Sequence, residues 1–345
     1  MVYIILVNWN GWQDTIECLE SVFRLVDTEY RVIVCDNHSE DNSLDQIASW
    51  ATGSTSARNS NPELAHLTTP PCPKPISVLI ISARELPNLA TRPERLILVP
   101  TGANLGFAGG CNVGLRLALA STDFEFAWLL NNDTVVDPAS LSALVEEMRK
   151  RPEAGICGST ILNYCLPLIV QSQGGANYNS RTARLQHIGK GLSLESLLSS
   201  NEVEKRLKYL AGASMFATRT YLETIGLLNE DYFLYYEEID WATRAQGRFS
   251  LAYCSGSLVY HKEGATTGSG DTRDERTPLT EFFATRSRVM FTRKYFPRSL
   301  PVVCVALLFS LGQRLLRGRW QNATALMRGF AAGLRPDAIQ STRGD

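Results

Sequence analysis

Three stretches of the sequence carry residue types suited to chemistry. In "AWLLNNDTVVDP", residues 127–138, an apolar run that begins at Phe126 ends at Leu130 and gives way at once to Asn131, Asn132 and Asp133. Such a run reads as a strand covered on both faces. Ligands of an open α/β sheet bind beyond its strand ends, where a carboxylate can hold a hard cation such as Mg²⁺. The same residues would also serve as a turn before a helix cap. In "VIVCDNHSEDNS", Asp36 again follows an apolar strand, placed either to bind a ribose hydroxyl or base N–H or to form an Asx turn. "YEEIDW" brings Glu237, Glu238 and Asp240 together. Successive helical residues point about 100° apart, so the two glutamates cannot both face one cleft squarely, and Asp240 is expected to pair with Arg244 at i,i+4. An acidic helix start of this kind is also favoured by the helix dipole. Tyr232, Phe233, Tyr235, Tyr236 and Trp241 crowd the cluster, where they would raise a carboxyl pKa, stack on a sugar, or simply form core. His261 closes the apolar run "SLVY", as a ligand or as a structural histidine.

A fourth stretch, "NLGFAGGCNVG", has glycines at 106, 109 and 110 that would let a ligand approach the backbone at a helix N-terminus, a position that favours phosphate. Close helix packing would demand the same small residues. No G-x-G-x-x-G occurs at the first strand-to-helix turn and no G-x-x-x-x-G-K-[ST] occurs in the chain, which disfavours an NAD enzyme and a P-loop NTPase.

The elements that must position these groups alternate. Val2–Val7 reads as a strand, with Asp14 a candidate cap of the helix after it and Glu17 three residues on. Arg31–Cys35 is a second strand. Residues 51–75, rich in Ser, Thr, Asn and Pro, read as a surface insertion with little structure of its own. Two apolar runs, Ile76–Ile81 and Leu96–Val99, lead to the glycine-rich helix, and Asp137 with Pro138 marks another helix start. The order implies α/β architecture, a mostly parallel central sheet with helices on both faces. Further on, "AGASMFATRTYLETIG" predicts a strand and a short helix, "YEEIDWATRAQG" a helix closed by Gly247, and "FSLAYCSGSLVYHKEG" one or two strands ending at His261.

A chain of 345 residues buries a sizeable core, and a 44% hydrophobic, 20% charged composition argues against wholesale disorder. Eight cysteines without a C-x-x-C pair, four of them (Cys18, Cys35, Cys111, Cys157) in apolar stretches, read as small core residues in a reducing compartment. "MVYIILVNWNG" reads as a first strand, not a signal peptide. The net charge of −1 conceals a tail, Phe282 to Pro336, without Asp or Glu but with about ten Arg and Lys. Its apolar run "LPVVCVALLFSLG" falls short of the roughly 20 residues of a comfortable membrane span and suits a buried or interfacial helix.

Taken in order, "IILVNWNG", "VIVCDNHSEDNS", "NLGFAGGCNVGL", "WLLNNDTVVDP", "AGASMFATR", "LNEDYFLYYEEIDWATRAQG" and "VYHKEG" resemble the inverting family-2 glycosyltransferases of the GT-A fold, and within them the rhamnosyltransferase-type branch. The resemblance implies a GT-A domain over residues 1–265 and a basic, partly apolar helical extension over 266–345. It places Asp133 at the end of an N-x-D form of the family's acidic motif, holding Mg²⁺ or Mn²⁺ against a donor diphosphate, with Asn131 and His261 as further ligands. It puts Asp36 on the nucleoside and Asn8, Asn104, Gly106, Phe107 and Asn132 around the donor. Glu238 falls at the catalytic base, where a glutamate replaces the usual aspartate, with Glu237 and Asp240 as the neighbouring candidates. The implied donor is a nucleotide-diphospho-sugar, dTDP-rhamnose before a UDP-sugar such as UDP-galactofuranose. The implied acceptor is a lipid-linked saccharide, met in the cytoplasm at the inner face of the plasma membrane, where the basic tail suits an anionic surface. A degenerate nucleotide-sugar-binding protein is the reading from another class. Nucleic acid is not an expected partner, since no recognition motif accompanies the basic charge.

Overall fold

The computed structural model of the protein describes residues 1–262 and 276–335. Strand β1 (Val2–Asn8) leads to helix α1 (Trp12–Val22), then β2 (Tyr30–Asp36), α2 (Ser43–Thr52), β3 (Val78–Ile80), β4 (Leu96–Pro100), α3 (Gly106–Ala120), β5 (Phe126–Leu130), β6 (Thr134–Val136) and α4 (Ser140–Lys150). A largely β segment follows, with β7 (Ala154–Asn163), β8 (Val170–Gln173), β9 (Gly175–Asn179), β10 (Arg184–His187), α5 (Ser200–Arg206), β11 (Tyr209–Leu210) and β12 (Ser214–Thr218). The remainder comprises α6 (Arg219–Ile225), α7 (Glu237–Arg244), β13 (Ser250–His261), α8 (Pro278–Tyr295), α9 (Leu300–Leu316) and α10 (Trp320–Leu334).

Ten strands make one sheet in the order β3-β4-β2-β1-β5-β12-β7-β13-β6, with β8 added on β7. The first five are mutually parallel; β12 runs antiparallel to both β5 and β7, and β13 is parallel to β7. Alternation along β1 divides the core between the two faces. Val2, Ile4 and Leu6 pack with Ile16, Trp50 and Leu144 from α1, α2 and α4, whereas Tyr3 and Ile5 pack with Leu115, Tyr221 and Trp241 from α3, α6 and α7. A small antiparallel sheet, β10-β9-β11, stands beside the large one. Tyr178 on β9 joins Tyr236, Ile239, Phe291, Val303 and Leu326 in a third cluster, which ties α8, α9 and α10 to the rest of the chain.

The α/β class and mostly parallel sheet agree with the sequence reading. Four local expectations are corrected. Helix α1 starts two residues ahead of Asp14, whose carboxylate instead takes the ammonium of Lys262. Helix α4 starts three residues after Asp137, which accepts the Ala139 N–H in a turn. Residues 51–75 are packed down: a 3₁₀ helix spans Pro62–Leu67, Leu64, Leu67 and Cys72 are buried, and the Cys72 N–H bonds Glu20 at 2.7 Å. A few well-placed apolar residues anchored by side-chain-to-backbone bonds outweigh the polar composition there. The apolar run at Leu300 extends further than its sequence suggests: Pro297–Leu316, 20 residues with an 18-residue window at mean hydropathy 1.7, has the length and composition of a membrane span, and only 22% of that window is buried. The expected boundary between residues 265 and 266 lies outside the described residues.

Candidate active site

Strand direction gathers the polar residues singled out above at one edge. β1, β2, β4 and β5 all finish there, and β13 does too, because two reversals, β5 to β12 and β12 to β7, restore the direction of β5. Asn8, Asp36, Asn131–Asp133 and His261 follow or end these strands, the place where open α/β sheets bind ligands. A hydrogen-bonded chain through Thr15 links Asn8, Asp36 and Asn132. Asn8 donates to Asp36 at 2.7 Å and accepts from the Thr15 hydroxyl at 2.7 Å, and Asn132 donates to that hydroxyl at 2.9 Å. Asp36 also accepts from the Ser39 side chain at 2.6 Å and its backbone at 3.0 Å. Both Asp36 and Asn8 are buried, so the network fixes two acceptors and an amide in place before any ligand arrives.

The N-terminus of α3 is held by its neighbours. The Gly106 N–H goes to the Asn104 side chain at 3.0 Å and the Phe107 N–H to the Phe233 carbonyl at 2.7 Å. Gly106 has φ +71° and a Cβ on it would collide with Phe233, so glycine is required twice over. These two N–H groups are therefore engaged, and the phosphate expected at this helix start would meet Asn104 and the residues around it, not a row of free amides. The partner loop is strained: Phe233, Tyr235 and Tyr236 all have positive φ, a costly geometry for aromatic residues that tends to persist at functional sites.

Asp133 and His261 form the candidate metal centre, with Asp133 Oδ1 3.2 Å from His261 Nε2 and Asn131 Nδ2 3.4 Å from the same nitrogen. Gln171 grips His261 at both ends, its Oε1 3.1 Å from Nδ1 and its Nε2 donating to the His261 carbonyl at 2.9 Å. With the ring proton on Nδ1 alone, Nε2 would offer a lone pair beside the carboxylate, a pair able to ligate one cation; with Nε2 protonated as well, the two form an ion pair. Burial by itself would raise the Asp133 carboxyl; His261, supported by Lys262, prevails and holds it below its ordinary value. Among the described residues no three His, Cys, Asp or Glu side chains converge, so a metal here draws its other ligands from amide, water or substrate oxygens, as Mg²⁺ commonly does. Lys262 bonds Asp14 and, at 2.5 Å, Glu17, which pins the end of β13 to α1.

The acidic cluster divides by environment. Glu237 is buried, and desolvation together with Glu238 pushes its carboxyl well above the usual range. Glu238 is half-buried, its Oε2 shut from solvent without a partner, and burial lifts its pKa to about 7. Asp240 is fully buried and saturated: Arg244 at 2.8 Å, Lys294 at 3.1 Å, and the hydroxyls of Tyr295 at 2.7 Å and Tyr232 at 3.3 Å all donate to it. The expected Arg244 pair is present, and a carboxylate so occupied anchors α7 to α8, which removes Asp240 from the candidate bases. Thr15 and Gln171 were not legible as site residues, since each acts through a pairing between distant segments; Phe233 was legible only as one of the aromatics around the acidic cluster, not as the clasp on α3. Lys262, beside His261 in sequence, was the one with a signal.

Residues 82–185 match the family described as Glycosyl transferase family 2. The chain is 28% identical over 149 residues to the low-salt glycan biosynthesis hexosyltransferase Agl10 of Haloferax volcanii, covering 43% of this chain and 45% of that protein. It is 26% identical over 219 residues to the N-acetylglucosaminyl-diphospho-decaprenol L-rhamnosyltransferase of Mycobacterium tuberculosis, covering 56% and 69% respectively. The match thus spans less than half the length of the first of these relatives. In fold it is similar to the mannosyltransferase PcManGT of Pyrobaculum calidifontis, solved with GDP-Man and Mn²⁺, at TM-score 0.51 and 14% identity over 96% of this chain and 86% of that one. Residues 82–185 are therefore similar to glycosyl transferase family 2, and the chain has the GT-A fold.

Proposed function

We propose that the protein is an inverting, metal-dependent hexosyltransferase that moves a sugar, rhamnose from dTDP-rhamnose, onto a lipid-linked saccharide in the assembly of a surface glycan. The carrying observation is the convergence at one sheet edge of a buried carboxylate network at Asp36, a carboxylate–imidazole pair at Asp133 and His261 able to ligate a cation, and α3, whose N-terminus is clasped by the loop that leads into Glu238. The rhamnosyltransferase name of one relative, which also names a decaprenol-linked substrate, supports the choice of sugar and acceptor.

Each residue has a task in this scheme. Asp36 and Asn8 hold the nucleoside, and Asn104, Gly106 and Phe107 border the donor. Asp133, His261 and Asn131 hold Mg²⁺ or Mn²⁺, which when bound offsets the charge that grows on the departing diphosphate. Glu238 takes the proton of the acceptor hydroxyl as that oxygen attacks the anomeric carbon; the bond to the diphosphate breaks on the opposite face, and the centre inverts. A base whose pKa lies near 7 is matched to that work at neutral pH. Glu237, kept neutral by burial, avoids a second charge beside it. The acid-free segment from Phe282 to Arg335 fits an anionic membrane surface and supports siting the reaction at the cytoplasmic face of the plasma membrane.

Thermal unfolding with dTDP-, UDP- and GDP-sugars, each with and without Mn²⁺ or Mg²⁺, tests the reading. Ligand at about a hundredfold over its Kd adds about 2.7 kcal/mol of apparent stability. The expected result is a metal-dependent rise with dTDP-rhamnose that Asp133→Ala abolishes. A rise confined to a UDP-sugar reassigns the donor, and no rise with any nucleotide overturns the donor site.

A further inference from the structure

The C-terminal helices form a second apolar feature that the transfer chemistry does not use. α8 and α10 lie side by side in the same direction, with Gly329 against the Phe282 carbonyl and Gly333 against that of Arg286, approaches that a Cβ at either glycine would block. Toward their N-terminal ends they part to leave a cavity of about 620 Å³ lined by Leu279, Phe282, Phe283, Trp320, Ala325 and Arg328 among others. Its two ends differ. At one, Phe283 stacks on Phe233 with ring centroids 4.5 Å apart, and Phe233 is the residue whose carbonyl holds the start of α3; Arg328 supplies a cation at this level of α10. At the other, Leu279 and Trp320 are 51% and 66% exposed. Trp320 follows the turn after α9, whose outer face presents Val302, Val305, Leu308, Phe309 and Leu316 to solvent.

We propose that this groove binds the hydrocarbon chain of an isoprenoid diphosphate, the lipid portion of the acceptor, with the chain leaving past Trp320 toward a membrane in which the outer face of α9 is seated. The inference rests on the transferase reading above and adds where the acceptor's lipid lies. The occupant follows from what meets at the groove. A linear apolar chain fits the lining, the cation Arg328 lies at the end nearer the catalytic loop, and Glu281, the carboxylate of α8 beside the lining, is paired with Arg314 at 2.8 Å. An exposed apolar face on the neighbouring helix then leads into lipid. A soluble peptide partner would explain the groove but not the bare face of α9 next to it.

The test uses the full-length protein and a long-chain polyprenyl diphosphate bearing a benzophenone on an isoprene unit close to the diphosphate, irradiated in detergent, with the labelled peptides identified by mass spectrometry. Labelling confined to α8 and α10 near Leu279 and Trp320, and competed by unlabelled polyprenyl diphosphate but not by phosphatidylglycerol, is the expected result. Leu279→Gln and Trp320→Gln, both at exposed positions, should each reduce labelling and lower the ratio of kcat/KM for long-chain over short-chain acceptors about tenfold. Labelling elsewhere overturns the proposal, and so does equal competition by phosphatidylglycerol, which would make the groove a seat for bulk lipid. Photolabelling needs no sugar donor, so a wrong donor assignment leaves this readout intact.

Discussion

At the residue scale, two adjacent glutamates are given different protonation states by burial and, for Glu237, by the charge of its neighbour Glu238. Glu238, lifted to about 7, is a base whose charged fraction grows as pH rises through that value, so turnover should climb from pH 6 to 8 with an apparent pKa of about 7. Glu238→Gln should lower kcat by roughly 10²–10⁴ with little change in donor binding, measured by initial rates and by donor-induced thermal stabilisation. The linkage sign gives a second readout. A carboxyl whose pKa is raised on folding keeps a proton that the unfolded chain has lost, so it erodes stability as pH rises from its ordinary range toward 7. The glutamine variant should thus be the more stable protein above pH 7 and lose that advantage in acid, seen in melting temperatures across pH. Asp36, Asp133 and His261 were legible in the sequence because each ends an apolar run, a local signal. Gln171 was not: it reaches His261 only because β8 pairs with β7, and nothing in "VQSQ" announces that partner.

The elements that came through most clearly, β1, β2, β5, β12 and α3, are those whose burial on both sides leaves an unbroken apolar run or a stripe at helical spacing. The small sheet β10-β9-β11 escaped notice because its strands are short, and the segment between α2 and β3 was read as unstructured because its anchors are single side chains, such as Asn61 donating to the Tyr164 carbonyl. One junction between elements carries most of the site's geometry: α3 meets the loop before α7 where Gly106 leaves no room for a side chain under Phe233. Gly106→Ala adds a methyl group at positive φ against a fixed carbonyl and should cost about 1–3 kcal/mol in denaturant unfolding. It should also depress kcat/KM, because Phe233 cannot yield without carrying the strained run up to Tyr236 along with it.

At the scale of the molecule, the C-terminal helices are part of the catalytic half's core. Ser287 donates to the carbonyls of Tyr232 and Leu234, Arg286 to that of Asp231, and Lys294 and Tyr295 to Asp240, so α8 braces the loop and helix that carry Glu238. A chain ending at residue 277 strips that bracing and uncovers Tyr178, Tyr236 and Ile239; it should fail to give a cooperative unfolding transition by circular dichroism or calorimetry. The acid-free, basic character of that extension was readable from composition, whereas its role as a brace depends on contacts that composition does not encode. The antiparallel β12 carries a consequence for how the protein is made. Trp128 on β5 bonds Ser214 on β12 across 86 residues of sequence, and until β12 emerges from the ribosome β5 has β1 on one side and nothing on the other. At about 5–20 residues per second that wait is on the order of ten seconds, during which the middle of the future sheet is an open edge. Biosynthesis thus passes through a vulnerable half-sheet, and the nascent chain in that interval is the form most exposed to aggregation and to chaperone capture.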